Sequence, residues 1–522
     1  MISRYKFNYH EKAIYLLSCT VLKMVTAAAL VFSVLSGLVA GDQLAFPPGF
    51  KFGAATSAYQ VEGSWNVTDK GVSIWDTFTH RHDSSVFNQN TGDVACDSYT
   101  HYKRDVQMAE EMGLQFYRFS LSWPRLLPTG FSNRISEDGK RYYNELIDEL
   151  LRNGIEPMVT IYHWDLPQTI QNLGGWTNPL IVDWFGDYAR NVYSLFGDRV
   201  KTWITINEPL IACDLSYNTG LLAPGIVSPG LGSYLCNKHV MLAHATAYRI
   251  YDEEFRVWQN GKVSFTNQLI WTEGDTEHDE TDAEIMRQFM IGLCSHPVYS
   301  AEGGWPRIIE ELVAEKSISE GYKNSKLPVF SSEEIEFIRG TFDFYSLNYY
   351  TARTVRRARA GEVVGPYPLF GAPDLDLVLG IRPHWKESHS ASFQIYPEGL
   401  RHILTWLKKN YGDLEFFILE NGFASKPGLE LQDDERIQFI HDHLEQVLLS
   451  IYEDGADVRG YTAWSIMDNF EWHDGYNIAF GLYAVDFNDP QRTRTPRKSA
   501  KYYERVIKSH SLVPVGAVKD DL

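Results

Sequence analysis

Two short stretches of this sequence end in the same way. Residues 201–209 read KTWITINEP: the apolar Trp203, Ile204 and Ile206 give way to Asn207 and Glu208, and Pro209 ends the run. Residues 416–422 read FFILENG, an apolar run closing on Glu420 and Asn421. Both patterns predict a short buried strand with a carboxylate on its C-terminal tip. One strand-end acid is as readily a turn cap as a catalyst. Two of them can face each other across a pocket, and two carboxyl groups flanking one bond are the apparatus of glycosidic cleavage.

The rest of the chain must position those two acids. Further strands are expected at residues 52–57, 116–120, 158–162, 263–266, 342–347 and 461–466, making eight in all. Helices are expected between them at about 99–112, 137–152, 180–196, 234–259, in pieces over 282–315, and at 398–410, 433–453 and 496–508. In the second of these, Tyr143, Leu146, Ile147, Leu150 and Leu151 recur at helical spacing, and Asn153-Gly154 supplies the stop. Residues 353–396 show no periodicity and are expected as one long loop. Strands alternating with helices predict an α/β fold, a single (β/α)₈ TIM barrel with long βα loops. Such a barrel builds its site at the C-terminal ends of its strands. The side chains expected there are Gln60, Arg118, His163, Asn207, Glu208, Asn267, Asn348, Tyr350, Glu420, Trp464, Glu471 and Trp472. They include no cluster with metal-ligand spacing, and the chain has no phosphate-binding glycine motif, so no metal and no cofactor is expected.

Composition narrows the partners. The 522 residues are 44% hydrophobic and 22% charged, ample for a large core. A net charge of −19 disfavours nucleic acid and anionic membrane surfaces as partners and leaves a small molecule. The abundant aromatics serve a core or stack on sugar faces, and composition does not separate the two.

The ends carry processing signals. TAAALVFSVLSGLVA at residues 26–40, after Lys23, has the length and character of a signal-peptide core, with small residues at Ala40 and Gly41 for cleavage. Residues 1–41 are therefore read as a leader, 42–510 as the barrel and 511–522 as a tail; translation starts at Met1 or Met24. The secretory pathway and an extracellular protein follow as the expectation. The final KDDL is close to an ER-retrieval signal and equally readable as an acidic tail. Beyond the leader remain Cys96, Cys213, Cys236 and Cys294, for which at most one bridge is expected, Cys213 with Cys236. Asn66-Val67-Thr68 is an N-glycosylation sequon. Oligomeric state is not legible.

The motifs FGAATSAYQVEG, YRFSLSWPRLLPTG, YHWDLPQ, TINEP, LNYYT, ILENG and NFEW occur in this order. Together they resemble the family 1 glycoside hydrolases, the β-glucosidase family, from about Phe46 to His510. The resemblance implies a retaining β-glycosidase, with Glu208 as acid/base and Glu420 as nucleophile. It implies Gln60, His163, Asn207, Glu471 and Trp472 as hydroxyl-binding residues, Trp464 as the ring under the sugar, and Tyr350 as a further contact. Arg118 and Asn348 support the two acids. Glu471 would repel a 6-phosphate, so a neutral glucoside is the implied substrate.

Two departures fall near the leaving group. Ser392 stands where relatives often carry Trp, and Ala479 where many carry Arg. The aglycone is therefore open. Plant thioglucosidases of the family carry Gln for the acid/base, unlike Glu208, whereas animal thioglucosidases can keep both acids. A thioglucosidase (myrosinase) acting on glucosinolates is thus the alternative, and a non-catalytic sugar-binding chain a minor one. Arg353, Arg356, Arg357 and Arg359 read first as a solvated basic loop. In this fold such a loop borders the pocket mouth, and Arg353, three residues past Tyr350, is the one expected to reach inward toward an anionic aglycone, beside the room left by Ser392.

Overall fold

The computed structural model describes residues 45–368 and 370–517. The expected leader and the KDDL tail lie outside the described residues. Eight parallel strands form a closed barrel: β1 (Lys51–Ala55), β2 (Phe116–Ser120), β3 (Glu156–Tyr162), β4 (Thr202–Asn207), β5 (Lys262–Gly274), β6 (Tyr345–Arg357), β7 (Glu415–Asn421) and β8 (Asp457–Trp464). Each strand pairs in parallel with the next, β6 with β7 and β8 with β1 completing the ring. This is the expected (β/α)₈ barrel.

Helices coat the ring because their apolar stripes need a partner. In helix Glu137–Arg152, Ser136 caps the N-terminus by accepting the Gly139 N–H, and Tyr142, Tyr143, Leu146, Ile147 and Leu150 are buried. Leu151, expected on that face, is instead 41% exposed, because the stripe has turned past the barrel by the last turn. Each buried Leu or Ile contributes about 1.5–3 kcal/mol.

The stretch read as one loop from 353 to 396 is more ordered than expected. Strand β6 runs on to Arg357 and is buried on both faces as far as Val355. Thr354–Arg357 pair antiparallel with Leu377–Gly380, and Lys386–Glu387 pair with Gln394–Ile395. Its arginines and threonines resemble loop composition, but tertiary partners satisfy them within the sheet extension.

The ladder breaks where the acids sit. The β4–β5 register shifts between Ile204 and Asn207, and β7 shifts against both β6 and β8 between Ile418 and Asn421. Bulges of this kind re-aim side chains at barrel rims. The disulfide Cys213–Cys236 forms as expected, though it joins two helices, Pro209–Tyr217 and Gly232–Ile250, rather than loops. Asn66 is exposed in a turn. No helix among the described residues is long and apolar enough to cross a membrane.

Candidate active site

Glu208 follows directly on the bulged end of β4. Its backbone is left-handed, at φ 48°, and it precedes helix Pro209–Tyr217, whose first residue is a proline. A non-glycine residue in that region costs about 1–3 kcal/mol, a strain found mainly at functional positions. Trp164 and Trp472 share it, at φ 76° and 49°. The Glu208 N–H is held by Thr266 O at 2.7 Å.

Glu420 sits on the bulge of β7. Two residues on, a Cβ at Gly422 would lie 2.0 Å from Trp464 O, so glycine lets the ends of β7 and β8 close on each other.

The partners of the two acids differ. Arg118 Nη1 donates to Glu420 Oε1 at 2.6 Å, and the Tyr350 hydroxyl donates to Oε2 at 2.7 Å. Arg118 is fully buried; its Nε donates to Thr160 Oγ1 at 3.0 Å and its Nη2 to Asn207 Oδ1 at 2.7 Å. Among the described residues no cation contacts Glu208: its Oε1 accepts from Asn348 Nδ2 at 2.6 Å. Asn348 is also the register partner of Glu420, so one residue lies between the two carboxyls.

Burial raises both acids. Glu208 is pushed up to about 8, first by burial and then by the negative charge of Glu420. For Glu420, burial is opposed by Arg118 and by the Tyr350 hydrogen bond. The cation and the phenol favour charge on Glu420, and that charge in turn favours the proton on Glu208.

Both acids open on a cavity of about 410 Å³, which His163, Asn207, Tyr350, Trp464, Glu471 and Trp472 also line. Gln60, Arg118 and Asn348 do not line it; they stand behind it. Gln60 donates from Nε2 to Asn469 Oδ1, Phe470 O and Glu471 Oε2, which fixes the segment carrying Glu471. Asn207 accepts from Arg118, so its amide N–H points to His163 Nε2 at 3.1 Å. His163 must then carry its proton on Nδ1, which is buried and has no partner among the described residues. Burial and Arg118 keep that ring neutral. Glu471 is raised well above the usual range by burial, then by Asp474, Glu420 and Glu208. Asn267, expected at a strand end, bonds Ser295 outside the cavity.

Comparison with known proteins matches residues 42–512 to the family described as Glycosyl hydrolase family 1. The chain belongs to glycosyl hydrolase family 1. It is 44% identical over 466 residues to myrosinase 1 of Brevicoryne brassicae, covering 88% of this chain and 98% of that one. It is 40% identical over 474 residues to the human cytosolic β-glucosidase, covering 90% and 99%. Among solved structures, an aphid myrosinase superposes with a TM-score of 0.85 at 43% identity, covering 90% of this chain and all of that one. A family 1 β-glucosidase from Thermotoga maritima superposes at 0.80 with 34% identity, over 90% and 100%. This chain is a glycoside hydrolase, and nothing in these relatives points to a non-catalytic chain.

The wall of the cavity in this family 1 hydrolase is mostly apolar. Ile211, Leu215, Leu221, Leu222, Ile270, Pro368, Phe393, Ile478 and Phe480 all line it. None of these apolar residues stands among the site residues expected from the sequence. Ile211 and Leu215, one helical turn apart and straight after Glu208, carried a usable signal; Leu221 and Leu222 carried none. Ser392 lines the cavity as expected, but the neighbouring Phe393 occupies part of the room beside it, 5.4 Å from the Tyr350 ring.

Arg353 also lines the cavity, as a strand residue rather than a loop one. Its Nη1 donates to Thr351 Oγ1, Ala352 O and Gln394 Oε1, and its Nη2 to Ser392 O at 2.6 Å. No carboxylate among the described residues pairs with it. Burial lowers its pKa to about 10, which leaves it charged at neutral pH. The expected basic loop does not exist as such: Arg356 pairs with Glu362 and Arg357 with Asp282.

Proposed function

We propose that this family 1 hydrolase is a retaining β-glucosidase, with Glu420 as nucleophile and Glu208 as acid/base. The observation that carries the reading is the asymmetry of partners: a buried guanidinium and a phenol on Glu420, a neutral amide on Glu208. In the first step a Glu420 oxygen bonds to the anomeric carbon. The glycosidic C–O bond breaks, and the Glu208 proton goes to the leaving oxygen. With Glu420 esterified, its charge no longer raises Glu208, which becomes the base. Water then gives a proton to Glu208 and its oxygen to the anomeric carbon, releasing Glu420 with net retention. Retaining enzymes hold their carboxyls about 5–5.5 Å apart, inverting ones about 6.5–9.5 Å. A pair with Asn348 between them and mutual charge coupling suits the shorter span.

The glucose ring is held over Trp464. His163, Asn207, Glu471 and Trp472, which line the cavity, serve its hydroxyls, and Gln60 acts from behind by holding Glu471. Labelling by a 2-fluoro-glucoside tests the assignment: the modified peptide should contain Glu420, and another labelled carboxylate overturns it.

A second reading has an observation of its own. Arg353 lines the cavity and keeps its charge with no carboxylate among the described residues paired to it. A sulfate on a thioglucoside aglycone would supply an anion, and such a leaving group needs little help from Glu208. Cleavage of sulfated thioglucosides supports this reading, and failure to cleave them leaves the neutral-glucoside enzyme.

We also propose that the protein enters the secretory pathway, loses residues 1 to about 40, and carries a glycan on Asn66. Exposure of Asn66 in a turn supports the last point. Intact mass with and without glycosidase treatment tests both. Removing residues 519–522 should raise secretion if KDDL is read as a retrieval address.

A further inference from the structure

Thr266 reaches the proposed acid by two routes. It is fully buried on β5, its carbonyl accepts the Glu208 N–H at 2.7 Å, and its hydroxyl donates to Asn348 Oδ1 at 3.2 Å. An amide that accepts on its oxygen side presents its NH₂ on the other. Asn348 Nδ2 accordingly lies 2.6 Å from Glu208 Oε1 and 3.3 Å from Asn207 Oδ1. An N–H aimed at a carboxylate favours its charged form. The reversed amide would set Oδ1 against Glu208 Oε1, an arrangement that suits only a protonated carboxyl, which can donate its O–H. Without the Thr266 hydroxyl, Asn348 Oδ1 would be left as a buried acceptor lacking that donor, and the amide would lose its reason to face this way.

We propose that Thr266 is a positioning residue for the acid/base: its hydroxyl holds the Asn348 amide with N–H toward Glu208, and this sets how readily Glu208 gives up its proton. The inference rests on Glu208 being the acid/base. The other charged or titratable groups around Glu208 are Glu420 from β7, Arg118 from β2, Tyr350 from β6, His163 at the end of β3, Glu471 after β8 and Tyr367 beyond β6. A change at Thr266 removes none of them.

The test is the pH dependence of kcat/KM on an unactivated glucoside for the wild type, Thr266→Val, Thr266→Ser and Glu208→Gln. Thr266→Val keeps the shape and loses the donor. Its alkaline limb should move upward by about half a pH unit or more, because the N–H that favours ionised Glu208 is no longer held. Thr266→Ser should restore the wild-type limb. A purely structural role would lower activity at all pH values and leave the limb in place. If Thr266→Val does not fold, Thr266→Cys, a much weaker donor of similar size, is read in the same way. An unmoved limb in a folded variant, with Glu208→Gln abolishing it, overturns the inference. A limb that persists in Glu208→Gln overturns the acid/base assignment instead.

Discussion

Arg118 Nη1 lies 2.6 Å from Glu420 Oε1, and neither side chain has appreciable contact with solvent. The guanidinium is tied by Thr160 and Asn207 as well, so it cannot follow the carboxylate if the site relaxes. A buried pair of this kind is costly to break from one side, because the remaining charge has no water to solvate it.

Replacing Arg118 by Met should therefore do two things. Stability should fall by about 3–5 kcal/mol, read as a loss of Tm or denaturant midpoint. In whatever folds, the acid limb of the pH–rate profile should move upward, since Glu420 loses the partner that favours its charge. A variant of unchanged stability and unchanged acid limb would contradict the account.

The two acids should respond differently to deletion. Glu420→Ala should lose turnover by about 10⁴-fold or more on every substrate. Azide should restore it with inversion, the anion attacking from the face that Glu420 vacates. Glu208→Ala should cost about 10²–10⁴-fold on alkyl glucosides. On dinitrophenyl glucosides, whose leaving group needs no proton, the first step should be nearly spared. Equal losses on both substrate classes would contradict the acid role.

The pH profile follows from the same pair. Glu208 is needed protonated in the first step and is raised to about 8, so activity should fall as pH rises through that value. Stability should move in the same direction. A carboxyl of ordinary pKa 4.5 when unfolded and about 8 when folded binds its proton more tightly in the native state. Stability from this group is complete below the unfolded value and declines as pH rises toward the folded one. Glu208→Gln should thus gain Tm over the wild type between pH about 5 and about 8. A difference in Tm that is flat across that window would contradict the assignment.

Arg353 separates the two substrate readings. Arg353→Ala should raise KM selectively for anionic aglycones, by about tenfold or more for a lost bidentate contact. Neutral glucosides should keep their KM within about twofold. Parallel changes in both classes would assign Arg353 to holding Ser392 and Gln394 in place and nothing more. Arg353→Lys should not rescue the anionic substrates, because a point charge cannot reproduce the fork.

Much of this was legible in residue order. Alternating apolar runs marked eight strands because a barrel strand must be buried along its length, and the polar residues ending each run marked the rim. Glu208 and Glu420 stood out because an acid closing an apolar run is displayed there. The extension of β6 was not legible. Arg353, Thr354 and Arg356 look like loop residues until the partners that satisfy them are known, and those partners, Gln394 and Glu362 among them, lie up to 41 residues away.

By itself, then, the sequence determined the barrel, the pair of acids and the inventory around them, because burial periodicity and strand-end chemistry are local properties of the chain. The motif resemblance assigned a role to each acid, but only the tertiary structure supplies a physical reason for the difference between them. That depends on where Arg118, Tyr350 and Asn348 deliver their hydrogen bonds from β2 and β6. Tertiary structure also decided the cavity wall, where Leu221, Pro368, Phe393 and Arg353 meet from separate segments. The physical reason and the wall are not visible in residue order, because a charge is placed by distance in space and a wall by packing.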